Sequence, residues 1–122
     1  MIVGTGTDII EVERVEHALT RDGLKEKIFS EREQAYCNQG NSVQCYAARF
    51  AAKEAFFKAL GTGWRGKMKI TEVEVLNDDL GKPFIELSGS ALELFQQRGG
   101  RHIHLSLSHI KQLATAFVVI EG

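Results

Sequence analysis

The sequence is poor in proline and has no excess of charge of either sign. One proline among 122 residues, with 43% hydrophobic and 25% charged residues, excludes a proline-rich disordered chain and favours a folded domain. Fifteen Lys and Arg residues against 16 Asp and Glu residues leave a net charge of −1. Because nucleic-acid-binding domains usually carry a basic excess, we expect neither DNA nor RNA as a partner.

Cysteines and long apolar segments are also scarce. Cys37 and Cys45 form no CxxC pair, and no histidine lies at zinc-ligand spacing from them, so we expect reduced thiols without a chemical role. No apolar stretch approaches the roughly 20 residues that a membrane helix needs. The first residues, Met-Ile-Val-Gly, do not have the pattern of a secretory signal. We therefore expect a cytoplasmic protein with no membrane partner.

The first half of the chain combines one strand with several helical signals. Residues 2–10 are rich in β-branched residues and include Gly4 and Gly6, which predicts a strand whose backbone comes close to a neighbouring element. Three helices are expected after it: one with apolar positions 12, 15 and 19, one opened by a Ser30–Glu33 capping box and running to about residue 36, and one from about Val43 to Leu60 that Gly61 ends. Residues 39–42 separate the last two.

The second half has the periodicity of strands. Alternating polarity at 70–76 and 83–87, around a turn cluster at 77–81, predicts a hairpin. Ser90 and Glu93 form a second capping-box pattern, for a helix that ends at residues 99–100. Two more strands are expected at 102–108 and 113–120. We predict a single α+β domain over residues 1–122, with a mainly antiparallel sheet packed with one long central helix and shorter helices. A domain this short buries only about two-thirds of its surface alone, so oligomerisation would help it.

The long helix carries charges in an unusually apolar setting. Alanine and aromatic residues surround Arg49, Lys53, Glu54 and Lys58 on almost every side. A helix that is apolar all round is usually buried, and buried charges must be paired or must bind something. The alternative is an ordinary surface ion pair between Glu54 and Lys58, which are four residues apart. The helix pattern alone leaves both interpretations open.

Asp8 and two polar segments are further candidates. Asp8 ends the first strand and caps the next helix in the simplest interpretation; close to Glu54, it would instead help to hold Mg²⁺, which takes one or two carboxylates with phosphates and water. Gly61-Thr62-Gly63 either ends the long helix or lets backbone amides approach a phosphate. His102, His104, Ser106 and Ser108 share one strand face, which is either a solvated surface or the lining of a phosphate or ribose site.

Four segments together resemble the holo-acyl-carrier-protein synthase family. Residues 6–14 match its G-x-D-I-x-x-x-x-R signature, and residues 49–63 match its R-F-A-x-K-E-A-x-x-K-A-x-G-T-G block. Gly81-Lys82-Pro83 matches its hairpin turn and His104-Leu105-Ser106 its late strand. The motifs occur in the family's order and spacing, and the similarity spans the whole chain.

The resemblance implies transfer of 4′-phosphopantetheine from coenzyme A to a serine of an apo-acyl carrier protein, within fatty acid biosynthesis. It implies that Asp8 and Glu54 hold Mg²⁺ and that Lys58 adds positive charge at the phosphates. Glu54 is the first candidate for the general base, and a carboxylate of the carrier the second. The coenzyme A contacts that it implies are Arg49, Lys53, Gly61, Thr62, Gly63, Lys82, Pro83, His104 and Ser106.

The resemblance also implies partners. The family forms homotrimers with active sites between subunits, and its carrier proteins are acidic. Arg14 matches the carrier-docking arginine of the family, and Arg21, further along the same segment, would join it. The competing hypothesis is a non-catalytic module of the same fold that binds coenzyme A or a nucleotide. The complete Asp8, Glu54 and Lys58 set favours the enzyme, since binding alone would not require it.

Overall fold

One long helix packs against two antiparallel sheets. The computed structural model describes residues 1–40, 42–64 and 68–122. Its elements are β1 (Ile2–Glu11), α1 (Val12–Ala18), α2 (Leu24–Ile28), α3 (Glu31–Cys37), α4 (Ser42–Leu60), a single 3₁₀ turn (Ile70–Glu72), β2 (Val73–Asn77), β3 (Pro83–Leu87), α5 (Gly89–Gln97), β4 (His102–His109) and β5 (Leu113–Glu121). This arrangement confirms the predicted α+β class and its central helix.

The larger sheet has the strand order β1–β5–β4, and β2 and β3 form a separate hairpin. All of these strand pairs are antiparallel. In β5, the side chains of Ala116, Val118 and Ile120 are buried against α4. The alternate residues of the sheet therefore point away from the helix, and we call that side the outer face. It carries Ile9 from β1, Phe117 from β5, and His104 and Ser106 from β4.

Two glycines allow β1 to lie directly on α4. A Cβ atom at Gly4 would lie 2.0 Å from the carbonyl oxygen of Ala59, and one at Gly6 would lie 2.0 Å from that of Ala55. No side chain fits at such distances, so the strand approaches the helix as closely as it does only because these positions are glycine. The expectation that the backbone of β1 comes close to a neighbouring element is confirmed.

A buried ion pair anchors the opposite side of α4. The ammonium group of Lys53 lies 2.7 Å from Glu33 Oε1 and donates to the carbonyl oxygens of Ile28, at 2.8 Å, and Ile70, at 3.4 Å. The second carboxylate oxygen of Glu33 accepts from the Val75 amide at 2.9 Å. Both side chains are buried, so losing one partner would leave an unpaired charge inside, at a cost of about 3–5 kcal/mol.

Most of the predicted boundaries agree with the structure. Ser30 and Glu33 form the predicted capping box at the start of α3. Gly61, with φ of 80°, follows the last residue of α4 as expected. Of the break at 39–42, Asn41 lies outside the described residues. Over the described parts of the chain, no helix is both long and apolar enough to cross a membrane.

The local structure departs from the expectations at three places. No helix was expected at α2, a five-residue helix with no buried residue. Residues 70–72 form a 3₁₀ turn rather than the start of the strand. The Ser90–Glu93 capping box does not form, because α5 begins earlier, at Gly89. Ser90 instead donates to Glu72 at 2.7 Å, and Glu72 also accepts from the Ala91 amide.

The prediction of two reduced thiols was also wrong. Cys37 and Cys45 form a disulfide bond, with their Cα atoms 5.4 Å apart. Cys37 ends α3, and Cys45 lies in the first turn of α4. The sequence pattern did not indicate the pair because a separation of eight residues matches no motif. The structure places the end of α3 beside the first turn of α4.

The contact of Gly6 with α4 predicts that one methyl group added at this position lowers the stability of the protein strongly. Gly6→Ala should lower the free energy of unfolding by about 3 kcal/mol or more, because the new Cβ meets backbone atoms that cannot move independently. Chemical denaturation followed by circular dichroism measures this loss. Gly40→Ala is the matched control, since nothing lies within 4 Å of a Cβ there. Equal stability of the two variants would contradict the proposed role of the contact.

Candidate active site

The close contact of β1 and α4 brings three charged residues together. Asp8 lies on the same strand face as Gly6, and Glu54 and Lys58 each precede an alanine that contacts a glycine of β1. Lys58 Nζ lies 2.9 Å from Asp8 Oδ1 and 3.0 Å from the carbonyl oxygen of Thr7. Lys58 thus pairs with Asp8 across the two elements. The surface pair of Glu54 and Lys58 is not among the ion pairs of the described residues.

Asp8 and Glu54 border the same cavity. Its volume is about 500 Å³, and its walls include Arg14, Ala18 and Phe50. Burial raises the pKa of Glu54, the negative charge of Asp8 raises it further, and Lys58 opposes both effects. Asp8 and Glu54 are therefore close enough to repel each other. Two carboxylates at the edge of one cavity form the kind of donor set that Mg²⁺ uses, with phosphate and water oxygens completing its shell.

The carboxylates do not form a metal centre on their own. Within residues 1–40, 42–64 and 68–122, no group of three His, Cys, Asp or Glu side chains is arranged to hold a metal ion. This observation is compatible with Mg²⁺ bound together with a substrate phosphate, since such ions need only one or two protein carboxylates. It does not fit zinc, which takes at least three protein ligands.

The two candidate docking arginines differ in position. Arg14 is exposed on α1 and borders the Asp8–Glu54 cavity. Val12 and Val15 of the same helix are buried, so Arg14 lies off the packed face. Arg21 is also exposed, but it follows the end of α1 and lies in the turn before α2. It does not border the cavity.

A second cavity, of about 480 Å³, contains Arg49. Arg49 donates from Nη2 to Asn77 Oδ1 and from Nη1 to Cys45 Sγ, the latter at 3.1 Å. Its guanidinium lies 4.6 Å from the centre of the Tyr36 ring, in a cation–π contact. Burial lowers its pKa. In the described part of the chain, Arg49 Nε is the only buried side-chain polar atom without a hydrogen-bond partner, which leaves one donor of this cation for a ligand.

The hairpin turn borders this second cavity. Gly81 and Pro83 line it, with Asn77 holding the turn through a hydrogen bond from Nδ2 to the Gly81 carbonyl, at 3.0 Å. Lys82 is exposed between them. The structure therefore brings Arg49 and the Gly-Lys-Pro turn together, although 32 positions separate Arg49 from Gly81. The sequence assigned no role to Tyr36, Asn77 or His109, which also line this cavity.

The remaining candidates lie apart from both cavities. His104 and Ser106 are exposed on the outer face, and His104 Nε2 lies 2.9 Å from Glu121 Oε1. Gly61 and Thr62 line a third cavity, with Arg98, whose Nη1 donates to the Leu60 carbonyl at 2.9 Å. Gly63 follows with φ of 63°.

Lys53 does not lie where it could make the coenzyme A contact that the resemblance implied. Its ammonium is buried and bonded to Glu33 and two carbonyl groups, so no donor remains for a nucleotide. The predicted coenzyme A contact of Lys53 is therefore replaced by a structural role. Its partner Glu33 was predicted only as a capping residue, because no local signal reveals a partner 20 residues away.

Known proteins resemble this chain along its whole length. A sequence profile of the 4′-phosphopantetheinyl transferase superfamily matches residues 4–118. The holo-[acyl-carrier-protein] synthase of Trichlorobacter lovleyi is 49% identical over 125 residues, which cover 100% of this chain and 99% of that protein.

Two solved structures share its fold. The holo-[acyl-carrier-protein] synthase of Neisseria meningitidis superposes with a TM-score of 0.91 at 35% identity and full coverage of both chains. The synthase of Bacillus anthracis, in complex with CoA (3′,5′-ADP), superposes with a TM-score of 0.81 at 40% identity, covering 98% of this chain and 96% of that one. The chain belongs to the 4′-phosphopantetheinyl transferase superfamily, with the holo-[acyl-carrier-protein] synthases as its relatives.

Proposed function

We propose that this protein transfers the 4′-phosphopantetheine group of coenzyme A to a serine of apo-acyl carrier protein. The observation that carries the proposal is that Asp8 and Glu54 border one cavity and that Lys58 pairs with Asp8, in a chain of this family. A cation beside two carboxylates is suited to phosphoryl transfer, in which charge on the phosphate oxygens must be neutralised. The proposal retains the cytoplasmic location and the place in fatty acid biosynthesis that the resemblance implies.

The reaction forms one bond to phosphorus and breaks another. The serine oxygen of the carrier attacks the phosphorus atom that bears the pantetheine, and the bond to the bridging pyrophosphate oxygen breaks. Adenosine 3′,5′-bisphosphate leaves with that oxygen, and the serine gives up its proton. Lys58, which pairs with Asp8, would stabilise the negative charge of the phosphate oxygens.

Asp8 and Glu54 would hold Mg²⁺. The bound ion would supply positive charge to the pyrophosphate and its leaving oxygen. In the structure, Lys58 Nζ pairs with Asp8 Oδ1 at 2.9 Å. Because exposed ion pairs are weak, this pair would rearrange when the phosphates of coenzyme A bind. Glu54 would also accept the serine proton through water, as the first candidate for the general base.

The second cavity would receive the nucleotide end of coenzyme A. Arg49, with its unpaired Nε donor, would bind a phosphate, and Gly81, Lys82 and Pro83 would contact the adenosine. His104 and Ser106 on the outer face, together with Gly61, Thr62 and Gly63, would complete the contacts. The bond of His104 to Glu121 would orient the imidazole.

The separation of the two cavities supports a shared site between subunits. Arg49 and Glu54 are five residues apart on α4, so their side chains point about 140° apart around the helix axis. One coenzyme A molecule would reach both groups most directly if they came from neighbouring chains. The outer face supports this arrangement, because Ile9 and Phe117 on it are 63% and 48% exposed. We therefore propose a homotrimer in which this face is covered.

The function is tested by incubating the protein with apo-carrier, coenzyme A and Mg²⁺. Mass spectrometry should show the carrier gaining one phosphopantetheine group, with release of adenosine 3′,5′-bisphosphate. A non-catalytic module would bind coenzyme A and leave the carrier mass unchanged, and that outcome would refute the proposal.

Asp8 and Glu54 should each be essential for phosphopantetheine transfer. Asp8→Asn and Glu54→Gln should each lower the transfer rate at least about 100-fold, because each removes a negative oxygen from the Mg²⁺ site. Chelation of Mg²⁺ should stop the wild-type reaction. Circular dichroism should show an intact fold, and Glu13→Gln, an exposed change on α1, is the control. Near-normal rates for both variants would end the assignment.

Mixing experiments should reveal the shared site. Glu54→Gln and Arg49→Gln alter different cavities, so subunit exchange between the two inactive variants should restore up to about a quarter of wild-type activity in a ring with three equivalent interfaces. Mixing Glu54→Gln with Asp8→Asn is the control, because both changes alter the same cavity. Absence of rescue after verified exchange would argue for a site within one chain.

Substitution of Arg14 should change the KM for the carrier and leave the affinity for coenzyme A unchanged. Arg14→Glu should raise the KM for carrier by about 5-fold at low salt, since an exposed residue at a rim contributes about 1 kcal/mol or less. The difference should shrink at high salt as the charges are screened. Coenzyme A affinity should not change. Arg101→Glu, another exposed charge reversal, is the control, and an unchanged carrier KM in Arg14→Glu would leave Arg14 an ordinary surface residue.

A further inference from the structure

The disulfide lies in the wall of the Arg49 cavity. Cys37 and Cys45 both line it, together with Gly81 and Pro83. Cys37 is buried, whereas Cys45 is partly exposed. A small molecule entering the cavity would therefore reach the sulfur of Cys45 first.

The disulfide also holds the surroundings of Arg49. Cys45 Sγ accepts a hydrogen bond from Arg49 Nη1 at 3.1 Å. Tyr36, the residue before Cys37, places its ring 4.6 Å from the guanidinium. The bond between α3 and α4 thus fixes two of the three groups that orient Arg49, and Asn77 is the third.

We propose that Cys37 and Cys45 form a redox modification site that exchanges with small-molecule thiols and disulfides, and that the disulfide form binds the nucleotide of coenzyme A more tightly. The inference rests on the proposed function for its assignment of the Arg49 cavity to the nucleotide.

A small-molecule thiol is the reductant in the exchange with the Cys37–Cys45 disulfide. A first thiolate attacks Cys45 Sγ, the bond between the two protein sulfurs breaks, and Cys37 leaves with the electron pair and takes a proton. A second thiolate attacks the mixed disulfide and releases the Cys45 thiol with one small-molecule disulfide. Two thiols are oxidised and one protein disulfide is reduced; oxidation of the protein is the reverse.

Reduction would weaken nucleotide binding for two reasons. Without the bond, the end of α3 and the first turn of α4 are no longer joined, so Tyr36 and Cys45 lose their fixed positions beside Arg49. A site that must be ordered on binding has a lower affinity than one already in place. In addition, the sulfur next to Arg49 becomes a group that can ionise, and a thiolate would compete with phosphate for the same guanidinium.

The test compares two redox forms of the wild-type protein. One sample is equilibrated with oxidised glutathione and one with a dithiol, and alkylation with mass spectrometry counts the free thiols. The ligand is adenosine 3′,5′-bisphosphate, which has no thiol of its own. Its dissociation constant, measured by calorimetry, should be at least about 5-fold higher for the reduced form. Equal constants would overturn the proposal, as would failure of the thiols to pair under oxidising conditions.

Thermodynamic linkage gives a second readout. If the disulfide form binds the nucleotide more tightly, saturating nucleotide must favour the disulfide in a glutathione buffer by the same factor. A disulfide that only stabilised the fold would not respond to the ligand. Unequal factors beyond experimental error would therefore contradict the coupling.

A variant separates the redox effect from other causes. Cys37→Ala cannot form the disulfide but keeps Cys45 beside Arg49, so in the dithiol buffer, which keeps the Cys45 thiol free, it should bind the nucleotide like the reduced wild type. If Cys37→Ala does not fold, the two wild-type forms still decide the question. Absence of transfer in both forms would refute the proposed function, whereas the thiol counts and dissociation constants would still judge the redox site.

Discussion

The direct contact of β1 with α4 determines the rest of this structure. Gly4 and Gly6 let the strand backbone reach the carbonyl groups of Ala59 and Ala55, where any side chain would collide. The same contact fixes the distance between Asp8 on the strand and the polar residues of the helix. The geometry of the candidate active site is therefore a direct consequence of how tightly these two elements pack.

The charged residues of α4 have different surroundings because their side chains point in different directions from the helix axis. Lys53 points into the interior, where Glu33 compensates its charge. Glu54 borders the cavity at β1, Lys58 pairs with Asp8, and Arg49 borders another cavity with one donor unpaired. A helix with almost no polar face thus carries one member of a structural ion pair and three charged residues that border a cavity or pair with a residue that does. Interior charges are tolerated here because each has a partner or borders a cavity.

Under the proposed function, the separation of the two cavities would link the chemistry to assembly. The Asp8–Glu54 cavity would hold the pyrophosphate through Mg²⁺, and the Arg49 cavity would hold the nucleotide phosphate. An exposed apolar patch on the outer face, with Ile9 and Phe117, offers a surface on which neighbouring chains would join these halves. The disulfide beside Arg49 would then connect the nucleotide half to the thiol chemistry of its surroundings.

The sequence by itself determined the α+β class, the long helix, the Ser30 capping box and the resemblance that pointed to Asp8, Glu54 and Lys58. These features are local or lie in contiguous motifs, so periodicity and spacing reveal them. Only the tertiary structure decided that Lys53 is buried against Glu33, that Cys37 bonds to Cys45, and that Arg49 meets Asn77. Each of these contacts joins separate elements, and no local pattern encodes the packing that brings them together.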